Sequence, residues 1–226
     1  MPRNYRRKEG PFAYRKRVYG SAAKLAAHDA QKALAIAKAT AKLVNVEYKS
    51  FDQLDEGNLT NLTNSLPFCL SNITQGDTAQ TRDGNSVRLK SLRVNWNAVI
   101  NGSGSSNQPV RSLIFIDWQN QGADPSISDV IEDVGTGSSN KMTSLPAILQ
   151  DPGRFQILYD KVHNLSANAN GYMQKEYYKE FNHHLKFEGT GAGAQRKGSI
   201  WMVLMTNATS NTPSATVQSR IRFLDN

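Results

Sequence analysis

The stretch that decides the fold is "SVRLKSLRVNWNAVI", residues 86–100. Val87 and Leu89 alternate with polar residues, which is typical of a β-strand that buries one face. After Leu89 the apolar residues continue in the opposite phase, which predicts a β-bulge or a bend near Lys90–Ser91 in one long strand. The apolar residues of the second phase are Leu92, Val94, Trp96, Ala98 and Ile100.

Seven further segments have the composition of β-strands. Together with the first they predict an all-β fold, an eight-stranded antiparallel jelly roll of two packed sheets. The segment "IWMVLM" (200–205) is apolar at every position, so it is expected to be an inner strand whose second face another subunit or the chain's own arm covers. Short helices are expected within 119–153, one starting at Asp124-Pro125 and one over 144–150. The seven segments are residues 44–51, 66–73, 110–118, 154–164, 175–187, 198–206 and 215–224.

The N-terminal region differs from this body in composition and charge. Residues 1–20 contain two Pro and two Gly without apolar periodicity, and are predicted to be a flexible basic arm. Residues 21–43 are Ala-rich and predict a helix with a thin apolar stripe, capped by Ser21. Residues 44–226 are predicted to be the jelly-roll domain. Residues 1–49 hold 12 Lys/Arg against 3 acidic residues (+9), whereas residues 50–226 hold 15 against 16 (−1).

A basic segment of this kind points to a polyanionic partner. Lys and Arg bind phosphates through counterion release, and interleaved Tyr rings can stack on unpaired bases. The pattern favours sequence-tolerant binding of single-stranded nucleic acid, with a solvated tail or a nuclear localisation signal as the alternatives. The candidate nucleic-acid-binding residues are Arg3, Tyr5, Arg6, Arg7, Lys8, Tyr14, Arg15, Lys16, Arg17, Tyr19 and Lys24.

The sequence offers no pattern that predicts an enzyme, a metal site or a cofactor. His183 and His184 are adjacent in a predicted strand, so they point to opposite faces and cannot chelate one ion together. The Gly-rich segment 189–198 does not open a helix and is interpreted as a loop rather than a phosphate cradle. Asp129 and its acidic neighbours are interpreted as a solvated helix face. Cys69 is the single cysteine and is expected in the core, and no apolar run is long enough for a membrane span.

Three stretches resemble the capsid proteins of small circular single-stranded DNA viruses. Residues 73–95, "ITQGDTAQTRDGNSVRLKSLRVN", are similar to a segment in which a Gly and then an Arg-x-Gly precede a basic strand. "RFQILYDK" (154–161) is similar to a strand frequent in these proteins, and "SRIRFLDN" (219–226) resembles their terminal strand. Coat proteins of plant satellite RNA viruses share parts of these motifs.

The resemblance implies a capsid protein that self-assembles into a closed icosahedral shell, for which about sixty copies are expected. It places the basic arm inward against a single-stranded genome, here circular DNA. It also implies a virion location, with passage through the host nucleus inferred from the arm. The alternatives are the coat of a small satellite RNA virus, or a cellular nucleic-acid-binding module with a basic tail.

Overall fold

The structure is a computed structural model that describes most of the chain. It covers residues 11–43, 47–59, 67–101, 107–119, 123–132, 142, 153–166, 171–191, 195–208 and 210–225. The chain divides into two compact units between Asn45 and Val46. One long helix belongs to the first unit, and all of the described strands belong to the second.

Helix α1 spans Pro11–Leu43. It begins ten residues before the predicted start at Ser21, so residues 11–20, predicted to be flexible, have a helical backbone. Proline is favoured in the first turn because its missing N–H has no intrahelical acceptor there, and its fixed φ suits the helix. The Arg, Lys and Ala residues that follow are good helix formers, and the single Gly20 does not outweigh them. The side chains of residues 22–39 are exposed.

The second unit contains nine strands and one short helix among the described residues. Eight strands overlap the eight predicted segments, and the ninth, β7, lies in the segment that was predicted to be a loop. The second helix predicted, over 144–150, lies outside the described residues. The elements are β1 (Glu47–Asn58), β2 (Phe68–Cys69), β3 (Ser86–Val99), β4 (Gln108–Asp117), α2 (Ile127–Val130), β5 (Phe155–Leu165), β6 (Tyr172–Phe187), β7 (Gln195–Lys197), β8 (Ser199–Thr206) and β9 (Ser214–Asp225).

These strands form two antiparallel sheets with jelly-roll connectivity. The five-stranded sheet has the order β1-β9-β3-β6-β7, and the four-stranded sheet has the order β2-β8-β4-β5. The last strand of the chain is inserted between the first and the third, and the chain repeatedly changes sheet, as in two interlocked Greek keys. The register of β3 shifts between Leu89 and Ser91 against both neighbours. The predicted bulge is therefore confirmed.

The main core lies between the two sheets. The buried residues of β3 follow the predicted phases on both sides of the bulge, and Trp96 is 1% exposed. Its indole Nε1 donates a hydrogen bond to Ser112 Oγ of the opposite sheet at 3.1 Å. Its ring meets Tyr159 edge-on, with 5.3 Å between the centroids. Apolar burial and one satisfied polar contact thus hold the two layers in register.

A second apolar cluster lies on the other side of the four-stranded sheet. Strand β8 is buried at all eight positions, as predicted for an inner strand. Its odd-numbered residues, with Phe115, pack against the segment between β4 and β5, which contributes Ile127, Val130 and Met142. The expectation that another subunit or the arm covers this face was wrong, because α2 and its surroundings pack there.

Two buried cations fix the loop 73–85 that precedes β3. Arg82 is fully buried, donates to the carbonyl oxygens of Ile73, Gly84 and Gly189, and lies 4.0 Å over the ring of Phe187. Its five donors explain why an arginine stands before the Asp83-Gly84 turn of the motif noted in the sequence. Lys49 on β1 makes the second anchor.

The Lys49 anchor ties together β1, the loop 73–85 and the end of β9. Lys49 Nζ lies 3.0 Å from Asp83 Oδ1 and 3.1 Å from Asp225 Oδ2, and the same Asp225 oxygen accepts from the Asp83 N–H. Burial opposes the ammonium charge, but the hydrogen bonds to the two carboxylates outweigh it and raise the pKa of Lys49. The charge is therefore retained inside the fold.

Candidate nucleic-acid interface

The structure describes part of the predicted nucleic-acid-binding set. Five predicted residues lie outside the described residues: Arg3, Tyr5, Arg6, Arg7 and Lys8. Five more lie on the backbone of α1 within its first three turns: Tyr14, Arg15, Lys16, Arg17 and Tyr19. Lys24 also lies on α1, and its side chain is exposed. These residues therefore share one helical backbone, which rises by about 1.5 Å per residue.

The described side chains of α1 are basic overall and do not form one apolar stripe. Three lysines of the helix are exposed: Lys24, Lys32 and Lys38. His28 Nδ1 lies 3.7 Å from Asp29 Oδ1. Leu25 and Ile36 lie within about 20° of each other around the helix, since each residue turns the chain by about 100°. Leu34 lies on nearly the opposite side from Ile36. All three are more than half exposed, so they do not share a single apolar seam.

A second charged surface, which was not among the predicted site residues, lies on the five-stranded sheet. It is formed by the solvent-facing side chains of β1, β9, β3 and β6, and we call it the charged sheet face. Two adjoining depressions lie on it, the larger of about 590 Å³, and they share Ser91, Tyr178 and Arg222. Their charged residues are Arg88, Lys90, Arg93, Arg220, Arg222, Asp52, Glu176 and Glu180.

Two ion pairs order part of this face. Arg93 Nε lies 2.8 Å from Glu176 Oε1, and Arg220 makes a two-point contact with Asp52, at 2.6 Å and 2.7 Å. The hydrogen bonds from Arg220 hold the pKa of Asp52 below its usual range. The signal that could have revealed this face is the presence of cations at alternate positions of "VRLK" and "SRIR", where the strands turn their polar side outward.

The described residues contain no arrangement that resembles a catalytic or metal centre. No group of three or more His, Cys, Asp or Glu side chains that could hold a metal ion occurs among them. His183 is half-buried and His184 exposed, on opposite faces of β6, as predicted. Cys69 is only partly buried, at the edge of the second apolar cluster, and burial raises the pKa of its thiol to about 12, so the thiol is protonated at neutral pH. No described helix is long and apolar enough to cross a membrane.

Comparisons of the sequence with known proteins all match the chain to one class of protein, viral coat proteins. The family model described as "Satellite tobacco necrosis virus coat protein" matches residues 17–226. The coat protein of Maize white line mosaic Satellite virus is 22% identical over 186 residues, which cover 80% of this chain and 82% of that protein. The capsid protein of Satellite tobacco necrosis virus 1 is 31% identical over 137 residues, which cover 58% of this chain and 64% of that protein.

Among solved structures, one of Desmodium yellow mottle tymovirus matches this chain. The matched region covers 80% of this chain and 88% of the tymovirus chain. The two are 10% identical, with a TM-score of 0.36.

The family match, together with the jelly roll and the basic N-terminal segment, defines the class as a viral coat protein, a component of the virion. The chain belongs to the satellite tobacco necrosis virus coat protein family. It is therefore a structural protein and not an enzyme. The expected origin among circular single-stranded DNA viruses is not confirmed, because the matched coat proteins come from satellite viruses, as in the predicted alternative. These matches do not support a nuclear location.

Proposed function

We propose that this protein is a satellite virus coat protein whose copies assemble into a closed shell around single-stranded RNA. The basic N-terminal segment faces the genome and neutralises its phosphates, while the jelly-roll unit builds the wall. A shell of about sixty copies remains the predicted size, as the smallest closed icosahedral arrangement of one subunit type.

The observation that carries this proposal is the unequal charge of the two parts of the chain. Residues 1–49 carry +9, and the rest of the chain carries −1. In α1, which spans Pro11–Leu43, only Asp29 is acidic. A nearly neutral wall can pack against copies of itself without strong repulsion, whereas a charged segment requires counterions or a polyanion. The family of satellite virus coat proteins favours RNA as that polyanion over the DNA first expected.

The test compares two variants that each lose three positive charges. The arm variant is Arg15→Gln/Lys16→Gln/Arg17→Gln, in which Gln preserves helix propensity. The control variant is Lys161→Gln/Lys175→Gln/Lys197→Gln, which removes three exposed lysines from the jelly-roll unit. Particles of the full chain are purified, and nucleic acid per protein is measured by absorbance.

We expect the arm variant to package less nucleic acid than the control, and the packaged material to be degraded by ribonuclease. Its binding to single strands should also depend less steeply on salt, since fewer counterions are released. Equal packaging by the two variants would contradict a genome-binding role for the arm. A protein that stays a small soluble species would favour the cellular-module alternative, and packaged material degraded only by deoxyribonuclease would contradict the RNA assignment.

A further inference from the structure

We propose that the charged sheet face is a second binding surface for single-stranded RNA, distinct from the N-terminal segment. Arg88, Lys90 and Arg222 contact the phosphates, and Tyr48 and Tyr178 stack on unpaired bases. This inference rests on the proposed function, because it names a further surface through which the shell protein holds its genome.

The charge of the face comes from three cations without a carboxylate partner. Arg93 and Arg220 are neutralised by Glu176 and Asp52. In the part of the chain that the structure describes, no carboxylate pairs with Arg88, Lys90 or Arg222. Arg88 Nε donates to the Asn182 side-chain oxygen at 2.7 Å, which orients the guanidinium and keeps its charge. These three cations surround the depression at Ser91, with Glu180 as its one acidic residue.

The strand register holds the cationic side chains close together. Ser91 lies opposite Arg222 of β9 on one side and Glu180 of β6 on the other. The bulge inserts Lys90 between Leu89 and Ser91 without a partner in β9, so that Lys90 lines the same depression as Arg88. A bulge commonly redirects a side chain in this way, and here it concentrates positive charge at one place on the sheet. An anionic occupant complements that charge.

Two exposed aromatic rings distinguish this face from an ordinary anion site. Tyr48 is 74% exposed and Tyr178 is 57% exposed, and both line the cationic depression. The Tyr178 hydroxyl donates to Glu180 Oε1 at 3.3 Å, which steadies the ring and leaves its face to solvent. Exposed rings beside a cationic groove are the elements that bind single strands without sequence preference, because every base has a face on which a ring can stack. Duplex RNA offers phosphates but no free base faces.

The first experiment adds a sheet variant to the two charge variants described above. The sheet variant is Arg88→Gln/Lys90→Gln/Arg222→Gln in the full chain, and like the control it loses three positive charges. Binding of fluorescein-labelled oligouridylate by unassembled subunits is measured by anisotropy over a range of salt. We expect weaker binding than in the control, with the slope of log K against log salt reduced by about 2, since each single-strand phosphate contact contributes about 0.7.

The second experiment separates stacking from charge. The variant Tyr48→Leu/Tyr178→Leu keeps the net charge and changes only exposed side chains. We expect its affinity for oligouridylate to fall at least about fivefold for each ring lost, with little change for an RNA duplex. Equal losses for the two probes, or no loss for either, would overturn the stacking part of the proposal. Circular dichroism checks that the sheets are intact in both variants.

The outcomes also separate this inference from the proposed function. Suppose that the arm variant packages less RNA than the control, and that the sheet variant binds oligouridylate as tightly as the control does. The sheet face is then not a binding surface, and the proposed function stands. If neither variant differs from the control in binding or packaging, both proposals are wrong. If the sheet variant binds RNA normally but no longer forms particles, the face is a contact between subunits, and the RNA assignment is overturned.

Discussion

The two sheets of the jelly roll have the same architecture but use their faces differently. The five-stranded sheet buries one face in the core and exposes the other, and β9 alternates between buried and less buried positions along most of its length. In the four-stranded sheet, β8 is buried at every position because α2 and its surroundings cover the second face. The five-stranded sheet therefore has a polar surface available for charge, whereas the inner strand β8 of the four-stranded sheet is covered on both faces.

This difference shows what an apolar pattern can and cannot reveal. A strand that alternates has one covered face, and a strand that is apolar throughout has two. The pattern of β8 does not identify the segment that covers it. The solvent-facing positions of an alternating strand do not have to be apolar. They can therefore carry the cations that give the charged sheet face its positive charge.

The largest expected effect contrasts one aromatic residue from each sheet. Phe115 is fully buried in the second cluster, where its ring meets Phe155 edge-on at 5.7 Å. Phe115→Ala should lower the free energy of unfolding by about 3–5 kcal/mol, through lost burial and the cavity left behind. The control is Tyr178→Ala on the exposed face of the other sheet, expected to change stability by no more than about 0.5 kcal/mol. Urea unfolding of unassembled subunits measures both, and similar losses would contradict the contrast between the sheets.

The next effect contrasts two ion pairs that both link β1 to β9. Asp225→Asn removes a carboxylate from Lys49, whose side chain is only 3% exposed. We expect a loss of about 3 kcal/mol, the lower end for a broken buried pair, because Asp83 still contacts the ammonium. Asp52→Asn breaks the exposed pair with Arg220 and should cost less than about 1 kcal/mol. If urea unfolding gives equal costs for the two variants, the buried anchor does not stabilise the fold.

Much of the jelly roll follows from local patterns. The two phases of β3 and the bulge between them are visible in the sequence because Val87 and Trp96 must both face the core. The early start of α1 was not predicted, because the prolines and glycines of residues 1–20 and their lack of apolar periodicity were interpreted as flexibility. Pro11 at the first helical position was the neglected signal.

The candidate site was harder to predict for a different physical reason. The basic segment is visible as a run of charge in one part of the chain. The charged sheet face is assembled from β3 and β9, and Arg88 and Arg222 are far apart in the sequence. The alternate cations of each strand indicate a charged outer side, but only the pairing of these strands shows that the two sets form one surface.

A smaller effect is expected where the chain passes from one sheet to the other. Gly198 joins β7 to β8 with a φ of +78°, and an added Cβ would lie 2.9 Å from the backbone oxygen of His184. Gly198→Ala should therefore destabilise the fold by about 2 kcal/mol. In the control Gly57→Ala, the new Cβ meets nothing within 4 Å, so stability should be unchanged or slightly higher. Thermal unfolding compares the two, and a neutral Gly198→Ala would show that this crossing tolerates a side chain.

The last prediction concerns pH and compares the two adjacent histidines of β6. His183 packs against Trp118 and Phe181 and donates a hydrogen bond to the Gly198 carbonyl oxygen at 3.1 Å. Burial, the main cause, lowers the pKa of His183 below the ordinary value of about 6.5. As the pH falls below about 6.5, the unfolded chain binds a proton that the folded chain does not, so stability decreases until the folded histidine also titrates.

Replacing His183 with Gln should therefore flatten the dependence of the unfolding free energy on pH between about 7.5 and 5, whatever its effect on stability at neutral pH. His184→Gln is the control, because that side chain is exposed on the charged face of the same strand. It should keep the slope of the parent protein. Urea unfolding at several pH values gives both slopes. If His183→Gln retains the parent slope, or if His184→Gln abolishes it, the acid sensitivity does not originate on the covered side of the five-stranded sheet.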